Sequence, residues 1–508
     1  MSQKPKQPKV EPRLLRGFRD ILPEDLIARD RMIGKVREVF EAHGFAPLAT
    51  PALEPLDVLG RTDLEDDSGT GGGSIFRVVD PDEPGAFYGM RFDMTVPLAR
   101  VVSQYPDLPR PFRRYAVGPV YRVDKPGPGR FREFLQFDLD IVGSEKMEAD
   151  AEIVSCMVET LQALGLERFK VRVNNRKILS GALEFAGVPD EQREAKVGGR
   201  SVTYDVRLET LRSLDKFDRV GFDGIAELLG GGRRDETGDF KFGVGLADGC
   251  IEKLLAFLRV PNRARAESLE ALRALMGGNA LASEGIAELA EIDAVLSALG
   301  VADAHAAFDM TIVRGLAYYT GPVFEAVLLD APEFGSVFSG GRYDGLVQRF
   351  QSAEIPAVGA SVGVDRLLVA LQHLKLVEKR SSPTEVLITV MDPSQRNQYL
   401  AMAAELRRAG IATEVFLGGR NFGKQLKYAD RLGIPIALIA GGDEFARGEV
   451  ALKDLWAGRE ISKQLASFEE WRENPTQVTV ARARLIDEVR AMRERQRHFE
   501  QKLRSTQG

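Results

Sequence analysis

The segment GRFREFLQFDLDIVG, residues 129–143, constrains the fold more than any other stretch of the chain. Successive residues of a strand point to opposite faces. Phe131, Leu135, Phe137, Leu139 and Ile141 therefore share one face, and Arg130, Arg132, Gln136, Asp138 and Asp140 share the other. The apolar face must pack on a core. The other face carries cations at one end and carboxylates at the other, and needs a use. Upstream, YRVDKPGPG ends a strand in a Pro/Gly loop, so 119–143 reads as a hairpin with Arg122 on its first arm. In MRFDMTVPLARV, Arg91, Asp93 and Thr95 lie opposite Phe92 and Met94. Two readings stand. One is a solvated face laced with cross-strand ion pairs. The other is a concave polar floor for a zwitterion and a polyphosphate, with carboxylates on an ammonium and arginines on phosphates or a carboxylate.

Residues 314–326, RGLAYYTGPVFEA, raise the same question. The later part reads as a strand, from its Tyr, Thr, Val and Phe content. It starts with a permanent cation and carries two phenols, which need partners from the protein or from a ligand when buried. Strict alternation sends Tyr318 and Tyr319 to opposite faces, unless Gly315 resets the phase through a turn. In 339–366 a glycine-rich strand runs into a helix. Its glycines let a flat ring lie on the backbone, and Arg366 at the helix start is placed to reach a terminal phosphate.

The remaining chain sorts by pattern. The length of 508 residues suggests about three domains. A segment at 1–12 is polar, rich in Lys and Pro, and reads as disordered. An amphipathic helix is expected over 23–43, mostly strands over 75–143, a helix over 146–165 and a strand at 169–174. Residues 180–300 read as helical, and 308–370 as strands ending in a helix. After a linker, LKLVEKRSSPTE, residues 384–455 alternate as a βαβαβ unit, hence a small α/β domain with a largely parallel sheet. The tail, 476–508, reads as a charged helix with Leu485, Val489, Met492, Phe499 and Leu503 at heptad-like spacing. Three heptads are too few for a coiled coil, so docking on the body or a second subunit is expected.

Some functions are argued against. GGRNFGKQ at 418–425 nearly fits a P-loop, but Gln425 stands where a hydroxyl would hold Mg²⁺. Four histidines, His43, His305, His373 and His498, show no zinc-ligand spacing. Only Cys156 and Cys250 are present, which fits a reducing compartment, and no apolar run of membrane-spanning length or signal-peptide pattern is found. The cytosol is the expected location. A net charge of −6 argues against a chain coated in nucleic acid but leaves room for a local basic groove for one RNA.

Taken together, these motifs resemble those of the histidyl-tRNA synthetases, a family of class II aminoacyl-tRNA synthetases. TPALEP resembles the first class motif, YRVDKPGPGRFREFLQFDLDIVG the second and GASVGVDRL the third. RGLAYYTG resembles a signature of the histidine-specific members, and FGKQLKYADRLGIPIALIAGGDE resembles their anticodon-binding domain. The resemblance implies an α+β catalytic core at 13–180 and 300–375, an antiparallel sheet flanked by helices. It also implies a mainly helical insertion at 181–299, an α/β anticodon-binding domain at 383–470 and a C-terminal helix.

The same resemblance implies roles. Asp93, Thr95 and Gln136 would meet the α-amino group of L-histidine, and Asp140, Tyr318 and Tyr319 its imidazole. Arg122 would bridge the histidine carboxylate and the α-phosphate of ATP, with Arg314 opposite and Arg366 on the γ-phosphate. Mg²⁺ would accompany ATP on its phosphate oxygens. Partners would be L-histidine, ATP and tRNA(His), with neither membrane nor DNA, and the protein would be a homodimer with Pro51 at the interface. The alternative is the histidine-binding regulatory paralogue of an ATP phosphoribosyltransferase, which lacks the anticodon-binding domain. Three departures from the family pattern stand out: Ala317 in place of Asp, Lys125-Pro126-Gly127 in place of Arg-Pro-Gln, and Asp93 in place of Glu.

Overall fold

The computed structural model describes residues 10–60, 75–80, 82, 87–123, 125–126, 131–197, 200–234, 238, 240–315, 318–377, 379–419, 421–463 and 476–506. Most of the 1–12 segment therefore lies outside the described residues. Two compact units are formed. One joins the residues up to Asp20 to Arg31–Val377. The other joins Ile21–Asp30 to the residues after Val377.

The first unit is built on an eight-stranded sheet. Its strands are Ala46–Pro47 (β1), Phe112–Tyr121 (β2), Glu133–Val142 (β3), Phe169–Asn175 (β4), Ala306–Phe308 (β5), Pro322–Leu328 (β6), Ser336–Arg342 (β7) and Ala357–Gly363 (β8). They lie in the order β1-β2-β3-β8-β7-β6-β4-β5. The expected hairpin is formed, with Tyr121 opposite Glu133 beside the turn. Neighbours from β2 to β4 are antiparallel. The rims are not. β1 runs parallel to β2, and β5 parallel to β4, so the sheet is mixed. A parallel pairing needs a crossover between its two strands: the link from β1 to β2 includes helix Thr95–Gln104, and that from β4 to β5 includes helix Ala280–Ala298.

The apolar face of β3 is buried from Phe137 to Ile141. Phe137 and Leu139 are 0% exposed. The Phe40 ring lies 4.8 Å from that of Phe137. Helix Met147–Ala163 contacts five of the strands and buries Ile153, Val154, Met157 and Leu161. A buried ion pair between Arg342 and Asp150 joins it to the end of β7, with Arg342 Nε 3.2 Å from both oxygens of Asp150. Among the described residues between β4 and β5 run six helices and two hairpins, 192–205 and 232–242. Short polar residues open several of the helices: Asn175, Asp205 and Asn279 each accept a backbone N–H from the first turn.

The second unit has a five-stranded sheet: Val386–Ile388 (β9), Thr413–Val415 (β10), Ile436–Ile439 (β11), Glu449–Asp454 (β12) and Gln477–Ala481 (β13), ordered β10-β9-β11-β12-β13. The first three strands in chain order are parallel, as the βαβαβ pattern requires, and the last two antiparallel. The tail differs from the expected single helix. Val478, Thr479 and Val480 favour a strand, and the helix runs only from Leu485 to Thr506. Leu485, Val489 and Met492 belong to the core of this unit. The P-loop resemblance is set aside by Gln425, which is 0% exposed. Its amide accepts from Val390 N at 2.8 Å and donates to Val390 O at 3.0 Å. Among the described residues no helix is long and apolar enough to cross a membrane.

Candidate active site

Strand register assembles the polar face. On β2, β3 and β8 three rows line up: Arg114–Asp140–Gly359, Ala116–Asp138–Ser361 and Gly118–Gln136–Gly363. The middle row continues through Ser339, Glu325 and Arg172, and the first through Gly341, Val323 and Asn174. One face therefore carries charged and amide groups on β3, only Ser and Gly on β8 and β7, and charges again on β6 and β4. With strands about 4.8 Å apart, β3 and β6 are separated by about 14 Å. The low centre is obligatory at Gly359, where a Cβ would stand 2.0 Å from Asp140 Oδ1.

At the β3 end the polar groups are buried and mutually bonded. Asp140, 3% exposed, is paired with Arg114 Nη2 at 2.7 Å and accepts the Tyr343 hydroxyl. Burial pushes its carboxyl up to about 6, against the pull of Arg114. Burial also pushes the Tyr343 phenol well up, so the phenol keeps its proton and donates. Asp138, 2% exposed, accepts from the Ser361 hydroxyl and from Gln136 Nε2 at 3.3 Å. Its carboxyl is also raised by burial, opposed chiefly by Arg114. Gln136 Oε1 lies 3.4 Å from Arg122 Nη2. Arg122 Nε donates to Phe92 O at 3.0 Å, and its guanidinium lies over the Phe134 ring.

Asp93 and Thr95 stand at the start of helix Thr95–Gln104. Asp93 Oδ1 accepts Val96 N at 3.1 Å. Its carboxyl is pushed up to about 6, foremost by removal from water, with Val96 N–H and Arg122 pulling the other way. Arg91, expected beside Asp93, is spent on the scaffold: it donates to Thr50 O at 2.8 Å and Pro119 O at 2.9 Å.

The tyrosines are not on a strand. Gly315 has φ +73°, β6 begins only at Pro322, and residues 318–321 lie in neither helix nor strand. The alternation argument therefore does not apply. Both rings come to one side, with centroids 4.4 Å apart and hydroxyls 3.3 Å apart. A Cβ at 315 would lie 1.7 Å from the Tyr319 ring, so glycine is required there. Tyr318 is 49% exposed, while Tyr319 packs against a buried cluster that includes Tyr343.

Arg314 and Arg366 belong to other surroundings. Arg314, half-exposed, pairs with Glu325 at 2.9 Å and lies 3.9 Å from Asp215. Glu325 is 2% exposed and its other oxygen takes Arg172 at 2.7 Å. Burial works against the charge of Arg172, but Asp218, Glu325 and Asp309 outweigh it. The cation of RGLAYYTG is thus balanced within the protein. Arg366, in helix Val364–His373, donates to Ser336 O at 2.7 Å. Asp93, Arg122, Gln136, Asp140 and the tyrosines gather at one end of the floor. Arg314 joins the β6 end. Ala317, Gly127 and Arg130 lie outside the described residues.

Sequence reasoning named Asp138 without giving it a task and missed Arg114, Tyr343, Ser361 and Glu325. Arg114 and Ser361 follow once the β2–β3–β8 register is known, because they stand beside Asp140 and Asp138. Nothing local marks Tyr343 or Glu325.

A helix-backed, largely antiparallel sheet with one polar face, followed by a small α/β unit, is the architecture of a class II aminoacyl-tRNA synthetase. Family comparison is specific. The histidyl-tRNA synthetase family model matches residues 17–201 and 244–367, and the anticodon binding domain model matches 385–492. The histidine–tRNA ligase of Paracoccus denitrificans is 46% identical, covering 96% of this chain and 98% of its own. That of Brucella suis is 42% identical, covering 96% of each. The crystal structure of histidyl-tRNA synthetase from Nostoc sp. PCC 7120 superposes with a TM-score of 0.77 at 28% identity, over 95% of this chain and 100% of that one. The chain belongs to the histidyl-tRNA synthetase family.

Proposed function

We propose that this protein is a histidine–tRNA ligase, which activates L-histidine with ATP and transfers the histidyl group to the 3′ end of tRNA(His). The observation that carries the site assignment is the cluster of buried Gln136 and Asp138 with half-buried Arg122, beside Asp93 and opening onto a floor of Ser and Gly. In the first step a carboxylate oxygen of histidine attacks the α-phosphorus of ATP. The bond to the β-phosphate breaks, and pyrophosphate leaves with its electron pair. In the second, a hydroxyl of the terminal adenosine attacks the carbonyl carbon and AMP leaves. No protein nucleophile is needed. The chain's task is to align two anions and offset charge at phosphorus.

Asp93, Thr95 and Gln136 receive the α-ammonium, while Asp140, Tyr318 and Tyr319 bound the imidazole. Arg122 bridges the histidine carboxylate and the α-phosphate, Arg314 approaches that phosphate from the β6 end, and Arg366 takes the γ-phosphate. Among the described residues no three His, Cys, Asp or Glu side chains are grouped to hold a metal. Mg²⁺ is assigned to the nucleotide, on phosphate oxygens. The second unit is assigned to the anticodon. A homodimer through TPALEP is supported by Pro51, which is exposed, and Leu53, 45% exposed. The cytosol is supported by Cys156 and Cys250, both free thiols.

The regulatory-paralogue reading is weaker, because a match to the anticodon-binding domain spans 385–492. Histidine-dependent exchange of pyrophosphate into ATP separates the two. Exchange and charging of tRNA(His) are expected, and histidine binding without exchange would reject the ligase.

A further inference from the structure

The amide of Gln136 is locked in one orientation, and the lock is Asp138. Gln136 is 8% exposed, and each end of its amide faces a group of fixed hydrogen-bonding sense. One end lies 3.3 Å from Asp138 Oδ1 and 2.8 Å from Ser361 Oγ. The other lies 3.4 Å from Arg122 Nη2. A carboxylate only accepts and a guanidinium only donates. The nitrogen must therefore face Asp138 and the oxygen Arg122. A flipped amide would set a carbonyl against a carboxylate and an NH₂ against a guanidinium. Ser361 gives its proton to Asp138, so toward Gln136 it can only accept. The three groups form a closed set in which every polar hydrogen has one place to go.

This set lies on the floor itself. Asp138 and Ser361 are cross-strand neighbours in the row beside that of Gln136 and Gly363. The Gln136 oxygen has two lone pairs, and Arg122 takes one of them. Arg122, its partner there, is within electrostatic range of Asp93.

We propose that Asp138, braced by Ser361, is a positioning residue that presents the oxygen of Gln136 to the α-ammonium of histidine. The inference rests on the assignment of Gln136 to that ammonium. It makes this corner selective for a cationic amino group, since the outward-facing atom can only accept.

The test uses full-length Asp138→Asn, Ser361→Ala and Gln136→Ala in pyrophosphate exchange. The inhibitors are histidinol, which keeps the ammonium, and imidazolepropionate, which lacks it. An Asn at 138 can donate, so it no longer dictates the Gln136 orientation. Asp138→Asn is expected to raise the histidine KM by roughly tenfold to a hundredfold, the scale of one hydrogen bond to a charged group, and to weaken histidinol in parallel. The ATP KM and imidazolepropionate inhibition should hold within about twofold. Asp138→Asn combined with Gln136→Ala should cost little more than Gln136→Ala alone. If Asp138→Asn fails to fold, Ser361→Ala carries the test with the same selective loss at smaller size. Equal weakening of both inhibitors, or of neither, overturns the proposal. If Gln136→Ala leaves histidinol untouched, the assignment of Gln136 itself fails. If only Gln136→Ala weakens histidinol, the positioning role of Asp138 alone fails.

Discussion

The two sheets of this protein spend their faces differently. In the first unit, β3 buries an apolar row on one side and Gln136, Asp138 and Asp140 on the other. In the second, Val386, Leu387 and Ile388 of the interior strand β9 are all 0% exposed, so both faces are apolar. A parallel strand covered on both sides has no face left for a ligand. Burying carboxylates without water costs free energy, which their hydrogen bonds offset only in part. The first sheet thus trades stability for a prepared site. The second is a scaffold, and under the proposed function it would meet tRNA through loops and helix surfaces.

The comparison breaks most directly at Arg122. Arg122→Ala should lower the exchange rate by roughly a hundredfold to a thousandfold, the cost of losing a preorganised donor at developing charge, with little change in thermal stability. A variant that exchanges normally would remove the site from this end of the floor. Next comes the scaffold. Ile388→Ala should destabilise the second unit by about 2–5 kcal/mol, read as a shifted urea transition, and reduce tRNA charging more than exchange. An equal loss of both would show that the division of labour is wrong.

Glu325→Gln tests the β6 end. It leaves Arg314 without its buried counter-charge and should raise the ATP KM roughly tenfold, with histidine KM unchanged. A histidine effect of the same size would place Arg314 in the β3 cluster instead.

A pH profile probes the Asp93 carboxyl, whose pKa in the free protein is about 6. Below that pH it is neutral and loses its attraction for an ammonium, so kcat/KM for histidine should fall as pH drops through about 6. The imidazole of the substrate titrates near the same range. Asp93→Asn should remove the limb of Asp93 and leave those of the substrate and of Asp140, whose carboxyl is also pushed up to about 6, and an unchanged profile would clear Asp93. For stability the sign is opposite. A carboxyl raised above its unfolded value favours the fold more as pH falls from about 6 toward 4.

The smallest effect is expected at the acceptor end of the tRNA. With Lys125-Pro126-Gly127 in place of Arg-Pro-Gln, removing the extra guanosine at position −1 should cost less than about tenfold in charging. A large loss would restore the family's usual reading of that nucleotide.

Much of this was legible in the chain. Alternation in 129–143 placed β3 and sorted its residues by face, and the βαβαβ rhythm of 384–455 placed the parallel part of the second sheet. The tail helix was readable because Leu485, Val489 and Met492 recur at helical spacing, and all three are buried. The short strand before it was not, since Gln477–Ala481 has only an edge pairing to β12 to hold it. RGLAYYTGPVFEA was legible in part: its later residues from Pro322 are strand and Gly315 turns the chain, but the strand-favouring Tyr318 and Tyr319 precede the extended pairing.

By itself, the sequence determined which residues share a face, because side-chain direction follows from the period of the local backbone. It also carried the motifs that mark the family. Only the tertiary structure decided the partners. Arg114 meets Asp140 through the β2–β3 register, Ser361 meets Asp138 across β3 and β8, and Arg314 meets a carboxylate on the strand that follows it. Those pairings depend on which strands lie side by side and in what register, and no local periodicity encodes either.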